Sequence, residues 1–96
     1  MSHTVLIEFS CAEGKGPEFA GVLRSVLPDT RAYEGCELVE TYTDQDHPDT
    51  VMLWEKWRAK EDQESYLAWR VEGGMMEAIG PFMAAPPRFV HLSAAD

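Results

Sequence analysis

The stretch Thr30-Arg31-Ala32-Tyr33-Glu34-Gly35-Cys36, taken with Leu53-Trp54-Glu55-Lys56-Trp57 further along, decides the fold. The first segment ends a helix and turns into a strand through Gly35, which can take a backbone conformation that residues with a Cβ resist. The second is an aromatic strand that leads directly into another helix. A small chain made only of such elements cannot cover both faces of its own sheet. That points to a dimer with an aromatic-lined cleft.

Outward from these segments, residues 4–11 alternate as a first strand, with Val5, Ile7, Phe9 and Cys11 on one face. Pro17 suits the first turn of a helix, and Phe19, Val22, Leu23, Val26 and Leu27 then give one apolar stripe. Pro28 removes a helical hydrogen bond, so a kink or restart is expected there, with helix on both sides ending near Tyr33. Residues 36–43 form the second strand and residues 44–49 a polar hairpin loop. The third strand, residues 50–57, sets Val51, Leu53, Glu55 and Trp57 against Met52, Trp54 and Lys56. Large apolar groups on both sides require both sheet faces to be covered. A helix over residues 60–70 follows, weakly capped by Ala59 but with early acids that suit its N-terminus. Gly73-Gly74 interrupts the pattern, an apolar stripe resumes at Met75, and residues 88–93 make a short last strand. Strand, helix, strand, strand, helix, strand is the split βαβ order of an α+β, ferredoxin-like βαββαβ fold with an antiparallel sheet. Two such sheets face to face close a dimeric α+β barrel.

The 96 residues are read as a single domain spanning 1–96, with a core at about 3–92. A domain this small usually needs disulfides, metal or oligomerisation. The two cysteines, Cys11 and Cys36, lie in apolar segments and read as free thiols in a reducing compartment. His3, His47 and His91 are scattered without ligand spacing, so no metal is expected. Oligomerisation is the remaining route. A net charge of −9 disfavours nucleic acid and anionic membrane surfaces as partners. With no apolar run of spanning length, a cytoplasmic protein is expected.

The chain resembles the antibiotic biosynthesis monooxygenase domain family, the dimeric α+β-barrel proteins. Thr30-Arg31, Gly35-Cys36 and Trp54-Glu55-Lys56-Trp57 running into the next helix carry the likeness, which extends over nearly the whole chain. Tyr66-Leu67-Ala68-Trp69-Arg70, Glu72-Gly73 and Pro86-Pro87 look like a subgroup of uncharacterised members. The resemblance implies a homodimer with a ligand cleft between helices and sheet. It also implies cofactor-independent oxygenation of hydroxylated aromatics or quinols, or, in another branch, haem degradation. Two departures bear on this. Many members carry a His nine residues after the last Trp of the aromatic strand, where this chain has Tyr66. The haem-degrading branch also uses a first-strand Asn, and Val5-Leu6-Ile7-Glu8-Phe9 has none, which disfavours haem chemistry.

Trp57, Trp69 and Tyr42 are the candidate substrate-binding residues, since planar rings grip an aromatic by stacking. The competing reading is that each ring fills the core or an interface. Trp54 and Trp57 lie on opposite strand faces, and the family pattern favours Trp57 for the cleft. Tyr66 and Arg70 are the candidate catalytic pair: a hydrogen-bond donor to a phenol or quinone oxygen, and a fixed positive charge for an enolate. Against this, Tyr66 reads as an amphipathic helix residue and Arg70 as a surface ion-pair partner of Glu72 or Glu77. Glu55 would be a base with a raised pKa if buried and unpaired. The favoured reading pairs it with a cation such as Arg31. Arg31, Gly35 and Cys36 read as structural, and His47 as a solvated turn residue. The leading function is a cofactor-independent monooxygenase acting on a small aromatic molecule. The alternative is a non-catalytic ligand-binding or stress-related dimer of the same fold.

Overall fold

Residues 2–96 are described by a computed structural model. The elements are β1 (His3–Ser10), α1 (Gly16–Ala32), β2 (Cys36–Thr43), β3 (Thr50–Trp57), α2 (Lys60–Glu72), α3 (Met75–Ile79) and β4 (Arg88–Leu92), with a 3-10 turn at Gly80–Phe82. The strands form one antiparallel sheet in the order β2-β3-β1-β4, which is the α+β, ferredoxin-like arrangement expected. The second helical unit is split in two, because Gly74 takes a φ of 90° between α2 and α3.

Strand alternation assigns the two faces. Val5, Ile7, Phe9, Val39, Val51, Leu53 and Trp57 lie beneath the helices and are buried with Phe19, Leu23 and Leu27 of α1. On the opposite face Val90, Leu6 and Trp54 stand side by side across β4, β1 and β3. No element among the described residues covers them there, and they remain only partly buried.

α1 runs unbroken through Pro28, whose ring is exposed. Burial of Leu23, Leu27 and Thr30 on either side of the proline outweighs the missing hydrogen bond. The start of α1 has no side-chain cap of its own. Asp49 supplies one from the hairpin loop, accepting the Gly14 and Gly16 N–H groups at 2.9 and 2.8 Å. β2 contains an irregularity between Cys36 and Leu38. The extra residue turns Cys36 towards the helices beside Trp57, while Leu38, Glu40 and Tyr42 follow Lys56, Trp54 and Met52 on the open face. At the sheet edge, His3 Nε2 and His91 Nδ1 lie 2.9 Å apart. Among the described residues no helix is long and apolar enough to cross a membrane.

Candidate functional site

Between the helices and the sheet lies a cavity of about 390 Å³, floored by Ile7, Leu53, Glu55 and Phe89 and walled by α1 and α2. Its size falls within the ~300–1,000 Å³ of small-ligand sites, and its lining is mainly apolar. α2 supplies three of its polar side chains. Gln63, Tyr66 and Arg70 recur at helical spacing on one face, and all three reach the cavity.

Tyr66 and Arg70 are held together. Arg70 Nε donates to the Tyr66 hydroxyl at 2.8 Å, and its Nη2 donates to Thr30 Oγ1 and to the Val26 carbonyl, both at 2.9 Å. The Thr30 and Tyr66 hydroxyl oxygens are 2.6 Å apart. This network ties α2 to α1 across the cavity wall. The Arg70 guanidinium also lies over the Trp69 ring, 4.9 Å from its centroid, a cation–π arrangement. Arg70 makes no ion pair with Glu72, Glu77 or any other carboxylate among the described residues. Its guanidinium is instead held by the Val26 carbonyl and two hydroxyls.

The candidate residues separate. Tyr66, Trp69 and Arg70 line the cavity, with Trp69 45% exposed at its margin. Trp57 is on the expected face but is 0% exposed and does not border the cavity. It is packed beneath Tyr66, with ring centroids 5.0 Å apart, and edge-on to Tyr33 at 6.3 Å. Strand alternation separates it from Trp54 and the family resemblance implies the face, but the packing of Tyr66 and Tyr33 over the ring seals this position as core. Tyr42 belongs elsewhere altogether. It sits on edge strand β2 opposite Met52, on the sheet face away from the helices, 53% exposed, and its hydroxyl donates to Glu40 at 2.8 Å.

Glu55 departs from expectation in the other direction. It is 1% exposed, borders the cavity and has no cationic partner among the described residues. Arg31 instead donates to the Val39 carbonyl at 3.1 Å. Trp57 Nε1 donates to Glu55 Oε1 at 3.0 Å. Burial pushes the Glu55 carboxyl above the usual glutamate range, and the indole hydrogen bond offsets only part of that. Burial, and then the Glu55 charge, push the neighbouring Cys36 thiol up, which suits an unreactive cysteine. Gln63, 2% exposed, and Thr30, 0% exposed, are the polar contributors that sequence reasoning missed. The spacing of Gln63 with Tyr66 and Arg70 was the available signal.

The raised Glu55 pKa has a consequence for stability. The folded chain holds this proton more tightly than the unfolded chain does. The stabilisation is thus fully present below the ordinary carboxylate range and is lost as pH rises through the raised folded value. Glu55→Gln is expected to flatten that decline and to exceed wild type in stability on the alkaline side. Urea unfolding at a series of pH values checks it, and a wild-type pH slope in the variant would contradict it.

Helices packed on one face of a four-stranded antiparallel sheet, with an apolar cavity between the two layers, define a ferredoxin-like α+β protein. The chain belongs to the antibiotic biosynthesis monooxygenase family, whose model matches residues 2–79. Solved structures agree in fold. A protein from Pseudomonas aeruginosa superposes with a TM-score of 0.84 at 16% identity, over 99% of this chain and 95% of that one. A protein from Shewanella oneidensis gives 0.80 at 22% identity, over 95% and 90%. A structure described as an antibiotic biosynthesis monooxygenase gives 0.84 at 15% identity, over 98% and 99%. At these identities the likeness is one of fold alone. No curated protein matches the chain by sequence.

Proposed function

We propose that the protein is a cofactor-independent monooxygenase acting on a hydroxylated aromatic or quinol bound in the helix–sheet cavity, and that it works as a homodimer. The observation that carries this reading is the cavity itself: mainly apolar, floored by Ile7, Leu53 and Phe89, and bordered by Trp69, Tyr66 and the Arg70 guanidinium. An apolar site excludes water from a reactive carbanion. A guanidinium at its wall favours the enolate or phenolate form of the substrate. Trp69 supplies a ring face for stacking. A second copy of the chain covering Leu6, Trp54 and Val90 accounts for the open sheet face. Membership of the monooxygenase family supports the reaction class.

Oxygen uptake with anthrone and with simple quinols tests the proposal. Tyr66→Phe is expected to lower the rate at least tenfold, in line with the roughly 10²–10³-fold effects of removing one oxyanion donor. Trp69→Ala is expected to weaken substrate binding with a smaller effect on turnover. Wild-type rates in both variants would remove these residues from the mechanism.

One observation favours a second reading. The Tyr66 hydroxyl is already bonded to both Thr30 and Arg70, as a structural tie would be. On that reading the dimer binds an aromatic molecule without turning it over. Tight binding of anthrone by wild type, with no oxygen uptake, would select it.

A further inference from the structure

Glu55 is the group in the cavity whose chemistry its structural duties do not require. The buried Trp57 indole needs an acceptor, but a side-chain amide would serve as well. A carboxylate without a cation in an apolar floor is a costly choice. The alternation of β3 directs Glu55 to the cavity side between Leu53 and Trp57, and its sheet neighbours Val5 and Val39 are apolar and buried. Trp57 Nε1 holds Oε1, and no donor among the described residues holds Oε2. The carboxylate is therefore oriented, buried and free on one oxygen.

We propose that Glu55 is the catalytic base of this site, taking a proton from the carbon acid bound in the cavity and handing it on during oxygenation. The inference rests on the aromatic-oxygenation reading above. Tyr66 and Arg70 are poorer candidates for the base, since the first is engaged by two partners and the second is a permanent cation. The titratable or charged groups around Glu55 are Asp29 of α1 and Tyr66 and Arg70 of α2, which share the cavity, and the Cys36 thiol of β2. β1 and β4 present only apolar side chains to the cavity, Ile7, Phe9 and Phe89. Burial raises the affinity of Glu55 for a proton, which makes it a stronger base than an exposed carboxylate.

The chemistry balances with dioxygen as the oxidant. For a substrate methylene activated by an aromatic ketone, Glu55 removes one C–H proton and leaves a carbanion. An electron passes to dioxygen, the resulting radical pair forms a C–O bond, and Glu55 returns its proton to the outer peroxide oxygen. Glu55 then removes the second proton from the same carbon. The C=O bond forms as the O–O bond breaks, and the departing hydroxide takes that proton away as water. The sum is methylene plus dioxygen to ketone plus water, with the carboxylate regenerated.

The test separates proton transfer from oxygenation. Anthrone is incubated anaerobically in D2O with wild type, Glu55→Gln and Glu55→Asp, and methylene exchange above the spontaneous rate is followed by NMR. Oxygen uptake is measured in parallel, anthrone binding by tryptophan fluorescence, and folding by near-UV circular dichroism. Glu55→Gln is expected to bind anthrone as wild type does while both rates fall about 10²-fold or more. Glu55→Asp, which keeps the carboxylate, is expected to retain part of the exchange. Wild-type rates should rise with pH along a limb that Glu55→Gln lacks. Wild-type exchange in Glu55→Gln would overturn the inference and leave the oxygenation reading standing. Exchange that requires Glu55 but is accompanied by no oxygen uptake would keep the base and overturn the oxygenation reading. A wild-type protein that neither exchanges nor oxygenates anthrone or quinols would overturn both.

Discussion

Trp57→Ala is expected to destabilise the fold by about 3–5 kcal/mol, the range for truncating a buried aromatic ring. The ring is 0% exposed and closes the β3 end of the core. Its strand position pairs with His3 of β1 and with Cys36 of β2, so the loss falls where three strands meet. Tyr33, just past the end of α1, and Tyr66 of α2 pack against it, and neither can follow it into the void without leaving its own partners. The substitution also strips Glu55 of the indole N–H, leaving the carboxylate with no donor among the described residues. Trp57→Phe isolates that second effect. It keeps most of the ring and is expected to cost roughly 1–3 kcal/mol, the penalty for losing a buried hydrogen bond to a carboxylate. The indole bond favours the charged form of Glu55, so its removal raises the folded pKa further. Trp57→Phe should therefore lose more stability than wild type between acid and alkaline pH. Urea unfolding of both variants at two pH values reads these effects. A cost below about 1 kcal/mol for Trp57→Ala would show that the ring is not core.

The same ring marks where sequence reading stops. Period-two alternation puts Trp57, Glu55 and Leu53 on one common face, because that information is local to β3, and the family resemblance implies that this face meets the helices. Whether a residue on that face borders a cavity or lies sealed under a helix depends on where α2 crosses the sheet, and spacing along β3 carries nothing about that. Tyr42 was lost for a related reason. An edge strand with mixed apolar and polar residues on both sides does not announce which side faces in, and the irregularity at Cys36 changes the phase at its start. The Glu55–Arg31 pair failed because opposite charges in neighbouring elements imply a contact only if the backbone leaves one cation unoccupied. Here the Val39 carbonyl occupies Arg31.

Other features were legible because they are encoded by short-range chemistry. The three long strands, the stop at Gly35 and the break at Gly74 all follow from alternation or from glycine. Pro28 is the instructive exception. Its local rule predicts a kink or restart; α1 does not restart, because burial of the stripe on either side holds it as one helix. The Asp49 cap could not be read at all, since donor and acceptor are brought together only by the closed sheet.

Gly35→Ala is expected to cost on the order of 3–5 kcal/mol, because two penalties coincide at one position. Gly35 has a φ of +91°, a conformation that alone costs an L-residue about 1–3 kcal/mol. An added Cβ would also stand 2.5 Å from Asp62 Cγ and 2.6 Å from Asp62 Cβ. Asp62 cannot swing aside freely. Arg58 grips both its carboxylate oxygens, at 3.0 and 2.7 Å, and its Cβ is fixed by the first turn of α2. Gly35 in turn accepts the Arg58 N–H through its carbonyl at 2.7 Å, so the turn is locked to the β3–α2 junction. Relief requires the start of α2 to move, and Tyr66 and Arg70 move with it. The variant should accordingly bind anthrone more weakly than wild type even at temperatures where it remains folded. Adding Asp62→Ala separates the two penalties. It removes the carboxylate contact but leaves both the Cβ contact and the backbone strain, so partial recovery in the double variant is expected. Strict additivity of the two single substitutions would mean that no steric coupling links the glycine turn to α2. Partial recovery together with restored anthrone binding would show that the turn which identifies the scaffold also sets the position of the helix carrying the site.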